Sequence, residues 1–144
     1  MRRHRRLATL AAIVFYLLVV AGCAHAASYD AEQMYRLASA LTKLSAAVES
    51  AVGFKDPPGE LADAALVEFA TRHDPTLRAP FEEYTLRTLR LYPHAAVLVC
   101  TPDGQQALLE DAGCSAALDQ HRWKEKPPPP CEFTVDLASA CRAR

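Results

Sequence analysis

Residues 95–110 read AAVLVCTPDGQQALLE, and this stretch decides the fold. A short apolar run, Ala95–Thr101, meets Pro102-Asp103-Gly104 and returns as Gln105–Glu110. Two such runs around a Pro-Asp-Gly turn are the pattern of a strand doubling back on itself. The stretch before it, 81–92 (FEEYTLRTLRLY), is rich in threonine and tyrosine, which suits a strand. Phe81, Tyr84, Thr88 and Leu91 also fall at helical spacing, but the neighbouring hairpin favours the strand. Residues 82–92, 95–101 and 105–110 are therefore expected to form a small antiparallel meander. Its competitor is a helix over 105–111, since Gln, Ala, Leu and Glu are good helix formers.

Upstream, Met34, Leu37, Leu41, Leu44, Val48 and Val52 recur every three or four residues, which predicts a helix over 31–52. Asp30 is placed to cap it, and Gly53 with Pro57-Pro58 ends it. The first five apolar positions fit a heptad, so the stripe serves either a helix–helix seam or an intramolecular core. Fewer than three heptads favours the core. Residues 60–72 read as a second, alanine-rich helix with Leu61, Ala65 and Phe69 on one stripe. His73-Asp74-Pro75 stops it, with Asp74 able to cap a single turn led by Pro75. Downstream, Asp111-Ala112-Gly113 opens a polar loop carrying Trp123 and Pro127–Pro130, a polyproline II spacer. Residues 131–136 (CEFTVD) alternate as a last strand, and 137–144 form a short tail. The expected fold is α+β: two N-terminal helices packed on a small antiparallel sheet stapled by disulfides.

The first 23 residues, MRRHRRLATLAAIVFYLLVVAGC, have a different character. Arg2, Arg3, Arg5 and Arg6 precede an uncharged apolar stretch, and Val20-Ala21-Gly22-Cys23 follows. This order resembles the lipobox signal peptide of bacterial lipoproteins. The resemblance implies a signal peptide over 1–22, lipidation of Cys23, a tether over 23–30 and one periplasmic domain over 31–144. Several acyl chains, at about 0.8 kcal/mol per buried CH₂, hold such a protein on the membrane. Ala24, in place of an aspartate after the cysteine, implies the outer rather than the inner membrane. The alternative is an uncleaved span from Leu7 to Ala24, near the lower length limit for crossing a bilayer.

Cleavage changes the charge. The leader holds four of the 16 basic residues and none of the 17 acidic ones, leaving 12 against 17, a formal net of −5. An acidic body argues against nucleic acid or an anionic lipid surface as the main partner. Setting Cys23 aside also leaves an even set, Cys100, Cys114, Cys131 and Cys141. In an exported chain these read as two disulfides with three possible connectivities. A return strand running straight to Asp111 carries Cys114 about 30 Å from Cys100, too far to pair. Cys114–Cys131 with Cys100–Cys141 is then the preferred pairing. A metal site is not expected, because there is no CxxC and His121 is the only histidine near the cysteines in sequence.

Catalytic signatures are thin, and neither a catalytic residue nor a cofactor is assigned. Ser115 lies in neither GxSxG nor SxxK. Glu110-Asp111 is a carboxylate pair with Asp119 and His121 downstream, but adjacent acids at a strand end are ordinarily solvated turn residues. His73 and His94 read as loop punctuation beside Pro75 and Pro93. Trp123 and Arg122, within the basic cluster 121–126, are the candidate partner contacts, with Trp123 alternatively pinning the loop to the core. The function expected from the lipobox resemblance and the small domain is a non-catalytic accessory or assembly factor that binds an envelope protein. Its rivals are an inhibitor of a cell-wall hydrolase presenting loop 114–131, and a small envelope hydrolase using Glu110 and Asp111.

Overall fold

Helix α1 covers Ala31–Phe54 and buries Met34, Leu37, Leu41, Leu44, Val48 and Val52, the stripe read from the sequence. Asp30 stands at its start, but its side chain caps nothing; its carbonyl accepts from the Met34 N–H at 3.0 Å. The structure, a computed structural model, describes residues 29–115, 118–119 and 122–142. The leader, Cys23 and most of the tether lie outside the described residues, as does His121. Among the described residues no helix is long and apolar enough to cross a membrane.

Helix α2, Asp63–Thr71, begins later than the sequence suggests. The Arg90 guanidinium gathers the carbonyls of Pro57, Pro58, Gly59 and Leu61, so that backbone is drawn into a turn instead of a helix. Its buried face is Leu66, Val67 and Ala70, rotated from the expected stripe because Ala65 turns outward and Leu61 precedes the helix. Asp63 has a φ of 50°, a costly conformation for a residue with a Cβ. Two reciprocal bonds hold it: its N–H donates to Thr88 Oγ1 at 2.7 Å, and the Thr88 N–H donates to Asp63 Oδ1 at 2.8 Å. The same pair covers the outward edge of the first strand. Pro75–Leu77 makes the single turn expected after α2, with Asp74 accepting from the Thr76 N–H.

The meander is present: β1 (Thr85–Leu91), β2 (His94–Cys100) and β3 (Ala107–Ala112) are antiparallel neighbours, and a two-residue β4 (Leu118–Asp119) completes the order β1-β2-β3-β4. Both ambiguous stretches are thus strands where they are regular. The return strand starts at Ala107, because the Thr101 N–H donates to the Gln106 carbonyl and the register shifts beside Cys100. Val97, Val99 and Leu109 face α1 and share one core with its apolar stripe.

Residues 131–136 are not a strand. They cross the opposite face of the sheet as a strap, placing Phe133, Val135 and Leu137 over Ala96, Leu98 and Ala112. The N–H groups of Thr134 and Val135 donate to the Glu110 carboxylate, not to a neighbouring strand. The strap ends in the short helix α3, Leu137–Ala140.

This strap corrects the disulfide pairing: Cys100 joins Cys131, and Cys114 joins Cys141, with Cα separations of 5.7 and 5.5 Å. Gln106 bridges Pro130, and the Cys131 N–H donates to the Gln105 carbonyl, so the strap starts at the end of the sheet where Cys100 lies. It then runs along β3, whose six residues span about 20 Å. Cys141 consequently arrives at the end where Cys114 lies. Treating 131–136 as one more paired strand hid this direction.

Candidate functional site

Glycine 113 lets two elements meet. A Cβ built there falls onto the Ser45 carbonyl oxygen and within 2.6 Å of Glu49 Cβ. Helix α1 therefore rests directly on the backbone at the end of β3, and Glu49 reaches the start of β2. Its Oε1 lies 2.6 Å from His94 Nδ1, and its Oε2 accepts from the Ala95 N–H at 2.5 Å. His94 is no loop punctuation; it opens β2 and is held by a carboxylate from another element. Gly53 abuts the Pro93 carbonyl one helical turn further along, so the last turn of α1 closes on the β1–β2 turn.

That junction carries the most exposed large apolar side chains among the described residues. Phe54 is 88% exposed and Tyr92 76%, with Leu91 at 48%. Phe54 and Tyr92 are the chain neighbours of the abutting Gly53 and Pro93, so these residues cluster at one end of the molecule. An exposed aromatic tip of this kind marks an interaction surface more often than isolated apolar residues do. Sequence reasoning missed it. Its signal was there: a Phe just past the buried stripe of α1, and Leu91-Tyr92-Pro93 in a turn where polar residues are usual.

The expected partner contacts lie elsewhere and fare differently. Arg122 is buried, 2% exposed, with its Nη1 2.7 Å from Glu110 Oε2 and its Nη2 donating to the Glu132 carbonyl. It is thus unavailable as an exposed contact. Trp123 is half-buried against the core, with the Lys124 ammonium 4.7 Å from its ring centroid and 5.6 Å from that of Tyr35 on α1. This geometry pins the loop to the helix.

Glu110 and Asp111 are not solvated turn residues either. They are adjacent in β3 and so point to opposite faces. Glu110 faces the strap, where Arg122 and the Thr134 hydroxyl join its carboxylate. Asp111 faces α1, where Ser45 donates to its Oδ2 while Oδ1 finds no hydrogen-bond partner among the described residues. Burial pushes the Asp111 carboxyl above its ordinary range, opposed by the Ser45 bond. The two acids cannot act on one substrate atom. A groove of about 410 Å³ lies at the other end of α1, between Gln33, Arg36, Pro80 and Tyr84.

Comparison with protein-family models, curated proteins and solved structures gave no match.

Proposed function

We propose that the chain is a lipid-anchored accessory protein of the bacterial envelope, which binds a protein partner through the tip formed by Phe54, Leu91 and Tyr92. The observation that carries this reading is the position of the tip. The tether enters at the start of α1, and the tip lies at its other end, about 36 Å away for a 24-residue helix. The described end of the tether, at Asp30, and the aromatic contacts at the tip are thereby separated by the length of the helix. The net charge of −5 without the leader favours a protein over an anionic lipid surface at the tip. The rival inhibitor reading drew on a loop closed by Cys114–Cys131. The ends of that loop are tied instead to Cys141 and Cys100, and the exposed aromatic side chains of the tip make it the contact proposed.

The test is affinity purification of the lipidated protein from native membranes. Phe54→Asp combined with Tyr92→Asp is expected to lower recovery of one envelope protein at least tenfold, about 1.4 kcal/mol. Both side chains are exposed, so the melting curve should stay unchanged. Equal recovery with the double variant contradicts the role of the tip. Cys23→Ser should leave the protein soluble or unprocessed, and continued membrane attachment at unchanged mass contradicts the anchor.

A further inference from the structure

The two disulfides sit in different surroundings. Cys100 and Cys131 are buried, 0% and 5% exposed, whereas Cys114 and Cys141 are half-buried and open to solvent. Beside the accessible pair stands His94, and a ring nitrogen of His94 and the two sulfurs all lie within 4.8 Å of one another. These residues are distant in sequence and come from β2, the loop after β3, and the C-cap of α3. Gly113 brings them together, since its lack of a side chain seats Glu49 and Cys114 at the same corner.

We propose that reduction of the Cys114–Cys141 disulfide creates a site for a thiophilic metal ion such as Zn²⁺, with the two thiolates and His94 as ligands. The inference is independent of the partner-binding tip. Two Cys and one His form a known zinc donor set that leaves a fourth position open. Among the described residues no fourth histidine, cysteine or carboxylate joins the group. Tetrahedral zinc, with Zn–S near 2.3 Å and Zn–N near 2.0 Å, requires its donors to stand about 3.5–3.8 Å apart. The imidazole therefore needs to shift by no more than about 1 Å, and the sulfurs part once their bond is broken. Cys141 caps a four-residue helix at the end of the strap, a short element on which such a movement is small.

A carboxylate already holds one nitrogen of the histidine. Glu49 Oε1 lies 2.6 Å from Nδ1, leaving Nε2 for the ion, in the carboxylate–histidine arrangement that fixes metal ligands. Opening the site is a thiol–disulfide exchange. One thiolate of a dithiol donor attacks a sulfur of the pair to form a mixed disulfide. The second donor thiol then releases it, so the donor becomes a disulfide and two electrons and two protons pass to Cys114 and Cys141. Metal binding afterwards displaces the two thiol protons. The fold thus couples metal occupancy to the oxidation state of one accessible bond, while the buried Cys100–Cys131 bond holds the strap.

The experiment is a Co²⁺ titration of the full chain in detergent, before and after mild treatment with a phosphine. Phosphine and water reduce the bond, giving two thiols and the phosphine oxide, without adding competing thiols. Mass analysis should show two thiols gained on reduction, at Cys114 and Cys141, with far-UV circular dichroism unchanged. The reduced chain is expected to bind one Co²⁺ with thiolate-to-cobalt charge-transfer absorption, which Zn²⁺ abolishes by displacement; the oxidised chain should show none. His94→Gln should weaken binding at least tenfold, and Glu49→Gln, which keeps a hydrogen-bonding side chain, by about 10–100-fold. Absence of the band, a band indifferent to both substitutions, or loss of the fold on reduction overturns the proposal.

Discussion

Asp111 is the residue on which burial and charge compete most openly. It is 2% exposed, one oxygen accepts from Ser45, and the other lacks a partner among the described residues. Its carboxyl titrates above the ordinary range because burial disfavours the charged form more than Ser45 favours it. The stability consequence has a definite sign. Below the unfolded carboxyl range, near pH 4, both states are protonated and the full stability is present. As pH rises, the unfolded chain loses its proton first, and stability falls until folded Asp111 ionises as well. Asp111→Asn should therefore flatten the decline in denaturant stability between pH 4 and pH 7. The difference is about 1.4 kcal/mol for each unit by which the folded pKa exceeds the unfolded one. Parallel curves for the two proteins would rule this out. None of it was legible in the chain, because Glu110-Asp111 before Ala112-Gly113 looks like a solvated strand end. Only the strap and α1, arriving from distant segments, bury the pair.

At the scale of elements, legibility followed the strength of the local pattern. Helix α1 and the hairpin were readable because six apolar residues at helical spacing and a Pro-Asp-Gly turn are local signals. The strap was not, since CEFTVD alternates like a strand while its N–H groups are satisfied by the side chain of Glu110, 24 residues away for Thr134. The disulfide pairing failed with it, because direction along the sheet and not loop length selects the partners. The closeness of α1 to β3 was equally hidden in one glycine. Gly113→Ala should cost about 1–3 kcal/mol in chemical denaturation, the usual range for forcing atoms into a packed contact. Gly59, with nothing within 4 Å of a built Cβ, is the control, and Gly59→Ala should be close to neutral. Equal stability of the two variants would show that α1 does not rest on the backbone at Gly113.

For the whole molecule, the layers explain how a domain of this size presents a defined end. The sheet is covered by α1 and α2 on one face and by the disulfide-held strap on the other. Apolar surface is thereby consumed on both faces, and the aromatic tip stays exposed where α1 meets the β1–β2 turn. The candidate site was half readable: its four disulfide cysteines came from sequence, while the tip and the Glu49–His94 pair needed the fold. Trp123 and Arg122 drew attention as a basic aromatic cluster, yet they serve to hold the loop to α1 and to neutralise Glu110. The direct test of the proposed role of the tip in partner binding is site-specific photocrosslinking in intact membranes, with the photoreactive residue placed at Tyr92 or, for comparison, at Trp123. The account predicts one crosslinked envelope protein from Tyr92, lost on adding Phe54→Asp, and none from Trp123. A crosslink from Trp123 with none from Tyr92 would contradict it.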